Sequence, residues 1–191
     1  KGKSGNYDIL HLAMHTLVND QEPMYSKMAF TQETDQKEDG FLNTYEIYDL
    51  NLESRMAVLS SCNTGTGKLR KGEGVISLAR GFKYAGCPAI VMTMWPVEDN
   101  SSIRLMEYFY HAISKGKSKD QALREAKLNF MDNSDPLHAH PYFWAGYILI
   151  GDKSELYNPL SVWWIITAFG ILMIFFLIKL ARRKCIFGGC G

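Results

Sequence analysis

Two short segments each place a reactive side chain just after a run of apolar residues. Cys62 follows the apolar run 56–61 and is followed by turn-forming residues at 63–67. His15 comes two positions after the apolar run 7–13. A cysteine attacks as its thiolate, and a neighbouring imidazole raises the thiolate fraction at neutral pH. The two segments therefore predict a Cys/His dyad, provided that their strands lie side by side.

Each member of this dyad has a competing interpretation. A buried, inert cysteine is the alternative for Cys62, because free cysteine is among the most buried residue types. The small residues at 60–61 and the turn formers at 63–67 favour an exposed turn instead. His11 lies inside the predicted strand, whereas His15 lies just past its end, so His15 is the better candidate for a base.

The elements that must position these residues follow from hydrophobic periodicity. Short apolar runs predict strands at 7–13, 56–61, 89–95 and 147–150, and 3.6-residue periodicity predicts helices at about 74–86, 99–116 and from 118 onward. Strands separated by helices favour a mostly parallel α/β sheet, with all strand carboxyl ends along one edge. Ligands bind at that edge in open α/β sheets. Residues 18–50 are polar and mixed, and 32–40 predict a charged loop near the site.

Composition excludes several function classes. The 21 basic and 20 acidic side chains nearly balance, which argues against a nucleic-acid partner. The Gly-rich stretch 64–69 suggests a phosphate-binding loop centred on Gly67 and Lys68. That motif needs glycine five positions before Gly67 and Ser or Thr after Lys68, but this chain has Cys62 and Leu69 there. His138 and His140 lack a third ligand in view, so they predict a loop rather than a metal site. No cofactor and no metal are predicted.

The C-terminal segment is far more apolar than the rest. Residues 160–178 form nineteen positions without a charge, with Trp163 and Trp164 at one end and a Lys/Arg cluster at 179–184 at the other. As a helix this segment would be about 28 Å long, close to the thickness of a bilayer core. A buried core helix is the alternative, but the flanks favour a transmembrane helix that contacts the lipid bilayer.

This interpretation sets a domain organisation and a location. It predicts a folded domain over 1–157, a transmembrane helix over 158–180 and a basic tail over 181–191. The positive-inside rule places the tail in the cytoplasm, and hence the folded domain of a single-pass membrane protein outside it. The chain begins at Lys1 rather than methionine, which suggests a fragment or a processed product.

Six motifs in order resemble the CHAT domain, a caspase-like family. They are HLAMH at 11–15, LSSCNTG at 59–65, GEGVISLARGF at 72–82, YAGCP at 84–88, MWPVED at 94–99 and HPYFWAGYILIGD at 140–152. The resemblance implies a caspase-type α/β fold that is incomplete at its N-terminus, cysteine peptidase activity, and tetratricopeptide repeats upstream.

The resemblance also implies roles for individual residues. His15 would be the general base and Cys62 the nucleophile, with the backbone N–H groups of Thr16 and Cys62 as oxyanion donors. The family commonly has glycine where Thr16 stands. The polar residues that would line a substrate pocket are Asp20, Asn63, Glu73 and Asp99.

These observations lead to two functional hypotheses. The first is a membrane-tethered CHAT-family cysteine endopeptidase that cleaves a protein or peptide through Cys62 and His15. The second is a non-catalytic, caspase-like interaction module, a membrane-anchored scaffold that uses the same cleft or upstream repeats to hold a partner. Presence of both dyad residues favours the first.

Overall fold

The computed structural model describes residues 7–30, 39–60, 73–157 and 167–174. Within these residues the strands are β1 (Ile9–Ala13), β2 (Thr16–Leu17), β3 (Lys27–Ala29), β4 (Phe41–Asn43), β5 (Met56–Ser60), β6 (Ala89–Thr93) and β7 (Tyr147–Gly151). The helices are α1 (Thr44–Ile47), α2 (Glu73–Tyr84), α3 (Asp99–Ser114) and α4 (Lys119–Asp132), with 3₁₀ turns at Pro23–Tyr25 and Pro141–Phe143. The described residues fall into two compact units, one within Lys1–Leu156 and the other within Tyr157–Gly191.

The central sheet has the strand order β1-β5-β6-β7. β1, β5 and β6 are parallel, which confirms the predicted parallel-rich α/β sheet, whereas β7 is antiparallel to β6. The expectation that all four strands end at one edge is therefore wrong for β7. The reason is that two helices separate β6 from β7. α3 runs back along the sheet and α4 returns, so the chain enters β7 beside the carboxyl end of β6.

Helices cover both faces of this sheet. Every residue of β5 and β6 is buried, and alternate residues face two different apolar clusters. Met56 and Val58 pack with α3 and α4, whereas Ala57 and Leu59 pack with α1 and α2 on the opposite side. Burial on both faces explains why these two strands are continuous apolar runs rather than alternating ones.

A buried ammonium group joins the start of α4 to the end of the sheet. Lys119 is 1% exposed, and its Nζ donates to Asp152 Oδ2 at 2.9 Å and to the Ser154 carbonyl at 2.8 Å. Hydrogen bonds from Ser154 and from Lys119 hold the pKa of Asp152 well below its usual range. The Lys119–Asp152 ion pair fixes the segment after β7 against the hairpin that α3 and α4 form.

A second, small antiparallel sheet with the order β2-β3-β4 lies within residues 16–43, where the sequence predicted only polar, irregular structure. Its strands have two or three residues, too few to show a periodic pattern. Met28 at its centre is fully buried. Most of the predicted loop at 32–40 lies outside the described residues.

The predicted transmembrane helix at 160–178 is wrong. No helix within the described residues is long and apolar enough to cross a membrane. Of this segment the structure describes residues 167–174, which are helical. The single-pass membrane location and the bilayer contact lose their basis with it. The remaining residues of the segment and the tail at 181–191 lie outside the described part.

Candidate functional site

Neighbouring parallel strands end level with each other at the predicted site. Ala13, the last residue of β1, pairs in register with Ser60, the last residue of β5. His15 is exposed two positions beyond Ala13. The N–H of Ala29 in β3 donates to the His15 carbonyl at 2.9 Å, so the small sheet holds the backbone that presents the imidazole.

The backbone amide of Thr16 has a defined direction. Thr16 pairs with Met28 across β2 and β3, and the hydrogen bond beside this pair runs from Ala29 N–H to the His15 carbonyl. In an antiparallel ladder this arrangement makes Thr16 and Met28 a non-hydrogen-bonded pair, so their backbone N–H and C=O groups do not bond to each other. The N–H of Thr16 therefore points away from β3.

The side chain of Thr16 is almost fully buried, at 2% exposure. Its Oγ1 has no hydrogen-bond partner within the described part of the chain. A buried hydroxyl without a partner costs roughly 1 to 3 kcal/mol of desolvation. Where the family commonly has glycine, this chain thus carries a threonine whose hydroxyl bonds to none of the described residues.

A cavity of about 440 Å³ opens between β1 and α3, on the same face of β1 as His15. His15 and Asp99 line it together, so the structure brings these two predicted site residues to one space. Ser60, at the end of β5, is a further lining residue. This volume lies within the range of small-molecule and side-chain pockets.

A histidine–tyrosine pair lies on the same strand face as this cavity. The Tyr110 hydroxyl of α3 lies 2.8 Å from Nδ1 of His11, and the ring centroids are 5.7 Å apart. Burial lowers the pKa of His11 and raises the pKa of Tyr110, so at neutral pH both groups are uncharged. His11 lines the cavity.

Trp95 lies two positions beyond the third parallel strand, β6, and remains 37% exposed. Its Nε1 donates to the Tyr142 carbonyl at 2.9 Å. A Cβ on Gly146 would lie only 2.8 Å from the ring atom Cε2, so the glycine is what allows the indole to sit there. A fixed, partly exposed aromatic side chain therefore stands at the carboxyl edge of the sheet.

The remaining predicted site residues are placed as follows. Asp20 is half-buried in the connection after β2 and is not among the residues that line the cavity. Glu73 is the first residue of α2. Cys62 and Asn63 lie outside the described residues.

Cys87 provides an internal contrast to the predicted nucleophile. It is fully buried just before β6, and its Sγ lies 3.5 Å from the Ala89 carbonyl. Burial raises the pKa of this thiol, which lowers its thiolate fraction. Cys87 is therefore a structural, poorly reactive cysteine. Among the described residues no group of three or more His, Cys, Asp or Glu side chains is placed to hold a metal ion.

Sequence reasoning missed the cavity residues Ala13, Ser60, Ser102 and Met106 and the His11–Tyr110 pair. A partial signal existed in β1, where His11 and Ala13 alternate with the more apolar Leu10 and Leu12, as expected when one strand face is not part of the core. The α3 contribution depends on how the helix packs over β1, which no local pattern encodes.

Comparison with known proteins adds a family and two relatives. A family model described as the CHAT domain matches residues 2–152 of this chain. Tetratricopeptide repeat protein 28 of Homo sapiens is 32% identical over 121 residues, which are 63% of this chain and 5% of the relative. Tetratricopeptide repeat protein 28 of Mus musculus is 31% identical over the same extent. The chain matches only about one twentieth of the length of these curated relatives.

Proposed function

This chain belongs to the caspase-like CHAT family, and we propose that it is a cysteine endopeptidase in which Cys62 is the nucleophile and His15 the general base. The observation that supports this most is the register of β1 and β5. Ala13 and Ser60 are paired, and each dyad residue follows its strand end by two positions. Adjacent strands lie about 4.8 Å apart, so the two backbones leave the sheet within side-chain reach of each other.

The chemistry assigned to these groups is acyl transfer. His15 accepts the thiol proton, and the Cys62 thiolate attacks the scissile carbonyl carbon. The resulting oxyanion accepts hydrogen bonds from the N–H groups of Thr16 and Cys62. The C–N bond then breaks, and the protonated His15 returns its proton to the departing amine. Water, deprotonated by His15, hydrolyses the thioester and regenerates the thiol.

The direction of the Thr16 amide supports its role as an oxyanion donor. Because this N–H points away from β3, it is not consumed by the ladder of the small sheet. Threonine retains the donor that a glycine would supply, although it reaches fewer backbone conformations. Asp20, Asn63, Glu73 and Asp99 complete the proposed substrate pocket, and Asp99 is the member for which the cavity supplies direct support.

The partners proposed are a protein or peptide substrate and tetratricopeptide repeats in the same polypeptide. Both relatives are named for such repeats, and the matched segment is 5% of each. Repeat arrays present extended binding surfaces, so they would deliver the substrate to the CHAT domain.

A peptide-library cleavage assay tests the proposal on the full chain. We expect Cys62→Ala to abolish cleavage and His15→Ala to lower kcat by roughly 10²- to 10⁴-fold. His111→Ala is the matched control, since His111 is an exposed histidine on α3 that does not line the cavity. An acyloxymethyl ketone should modify Cys62 and leave Cys87 intact.

Two results would contradict the peptidase. One is a Cys62→Ala variant that cleaves as fast as the wild type. The other is a wild-type protein that cleaves nothing and whose Cys62 reacts no faster than Cys87. The second result would favour the non-catalytic interaction module.

A further inference from the structure

A second space in the molecule lies between α4 and β7, and we call it the α4–β7 groove. It has a volume of about 460 Å³, which is within the range of small-molecule pockets. β7 and β1 are at opposite ends of the strand order, so the groove is separate from the cavity between β1 and α3. It is therefore a site that the proposed peptidase mechanism does not use.

Most of the walls of the α4–β7 groove are apolar. The five apolar side chains that line it are Leu123, Leu128, Met131, Trp144 and Leu149. Leu128 is 38% exposed, so this wall is open to solvent. The indole of Trp144 is fixed, because its Nε1 donates to the Ala139 carbonyl at 3.0 Å. An apolar ligand would therefore gain contact with a wall that is already ordered.

Two cations lie on the helix side of the groove. Arg124 and Lys127 are three positions apart on α4, so their side chains share one helix face. An ammonium has three donors, but Lys127 makes a single, long hydrogen bond to the described residues, 3.4 Å from Nζ to the Ala145 carbonyl. Burial lowers the pKa of Lys127, as expected for a charge that has lost solvation. An anion beside Lys127 would replace that solvation.

A carboxylate of the protein also lines the groove, but it is engaged elsewhere. Asp120 Oδ1 accepts hydrogen bonds from the Ser118 hydroxyl and from the Gln121 N–H at the start of α4. Asp120 precedes Lys127 by seven positions, a helix rise of about 10 Å. Beyond β7, the sequence at 158–191 contains no Asp or Glu that could supply another carboxylate. The charge of Lys127 is thus available to an anionic ligand.

We propose that the α4–β7 groove binds a medium-chain aliphatic carboxylate, whose head group lies between Arg124 and Lys127 and whose alkyl chain lies along Leu128, Met131 and Trp144. Charge complementarity to the two cations selects the head group. The tail points away from Asp120, because Leu128 and Met131 follow Lys127 on α4. From Arg124 to Met131 the helix rises about 10 Å, close to the length of an extended eight-carbon chain.

Titration of the full chain with octanoate, octylammonium and butyrate tests this site. The indole N–H signals in NMR spectra report on it, because Trp144 lines the groove and Trp95 does not. We expect a saturable shift of the Trp144 signal with octanoate and none with octylammonium. Each methylene added between butyrate and octanoate should tighten binding about fourfold.

Two variants separate the head-group contact from the tail contact. Lys127→Met keeps an apolar stem without the charge and should weaken octanoate binding roughly ten- to hundredfold. Its matched control is Lys115→Met, since Lys115 is exposed at the end of α3, outside the groove. Leu128→Gln should reduce the gain per methylene, whereas Leu137→Gln, an exposed position outside the groove, should not.

Acetylation of the lysines by acetic anhydride gives a readout that is independent of tryptophan. Bound octanoate stabilises the ammonium form of Lys127, which is not nucleophilic. Octanoate should therefore slow acetylation of Lys127 severalfold and leave the rate at Lys115 unchanged, as measured by mass spectrometry.

Saturable octanoate binding that Lys127→Met weakens would support the site, whether or not the chain cleaves peptides. Equal binding of octylammonium, or no saturable shift of the Trp144 signal, would overturn it. So would equal octanoate affinities in Lys127→Met and Lys115→Met. These measurements do not involve Cys62, so their failure leaves the proposed peptidase standing.

Discussion

Gly146→Ala is expected to destabilise the protein by displacing Trp95 at the edge of the site. The added Cβ would lie 2.8 Å from Cε2 and 3.1 Å from Cδ2 and Cζ2 of the indole. Ordinary carbon contacts begin near 3.5 Å, so the ring must move by about 0.5 to 1 Å. These atoms belong to the rigid fused ring, and no flexible end is available to yield.

That movement also affects the bond that holds the ring. The 2.9 Å hydrogen bond from Trp95 Nε1 to the Tyr142 carbonyl lengthens or breaks. Overpacking typically costs about 1 to 3 kcal/mol, and a lost hydrogen bond contributes about 1 kcal/mol more. The free energy of unfolding should therefore fall by about 2 to 4 kcal/mol.

Denaturant unfolding measured by circular dichroism gives this free energy, and Gly81→Ala is the matched control. Gly81 lies inside α2, where an added Cβ would meet Cγ2 of Ile47 at 3.2 Å, a milder contact than the 2.8 Å at Gly146. Alanine gains about 1 kcal/mol of helix propensity there, which offsets the tight contact. Equal losses in the two variants would refute the reasoning. So would a Gly146→Ala cost that is unchanged when Trp95 is replaced by Phe, because a smaller ring should relieve the clash.

Two further variants test the folding interactions beside the site. Thr16→Val removes a buried hydroxyl without a described partner, so the free energy of unfolding should stay level or rise by up to about 1 kcal/mol; a loss larger than that would show that the hydroxyl is used. Lys119→Met should change how stability depends on pH. Hydrogen bonds from Ser154 and Lys119 hold the pKa of Asp152 below its ordinary value, so this carboxylate contributes stability that is present above about pH 4 and is lost as the pH falls. Urea titrations between pH 2 and pH 6 should show a shallower acid loss in Lys119→Met than in the wild type, and parallel curves would contradict the assignment.

The buried centre of the sheet could be predicted because its signal is local. β5 and β6 each have four consecutive apolar residues before they end in Ser60 and Thr93, and the two-faced core that explains these runs is a property of any covered parallel sheet. The same local signal does not encode strand direction. The apolar run of β7 reads alike in either direction, and its orientation depends on the α3–α4 hairpin that precedes it.

One residue of the site could be predicted because its signal is also local in the sequence. His15 is identified by its place just past a strand, which is a matter of sequence position. The cavity that His15 shares with Asp99 arises where α3 packs across β1, and the residues that open it, Ala13 and Ser102, are small and carry no motif. The transmembrane prediction was based on the composition of 160–178 alone, and no helix within the described residues is long and apolar enough to cross a membrane.

The central claim is that His15 activates Cys62, and the rate of Cys62 alkylation tests it most directly. Iodoacetamide modification, followed by mass spectrometry across pH 5 to 9, should show Cys62 reacting faster than buried Cys87 at neutral pH. His15→Ala should remove this advantage and move the rate profile of Cys62 toward that of an ordinary thiol. Identical profiles for Cys62 in the wild type and in His15→Ala would contradict the dyad.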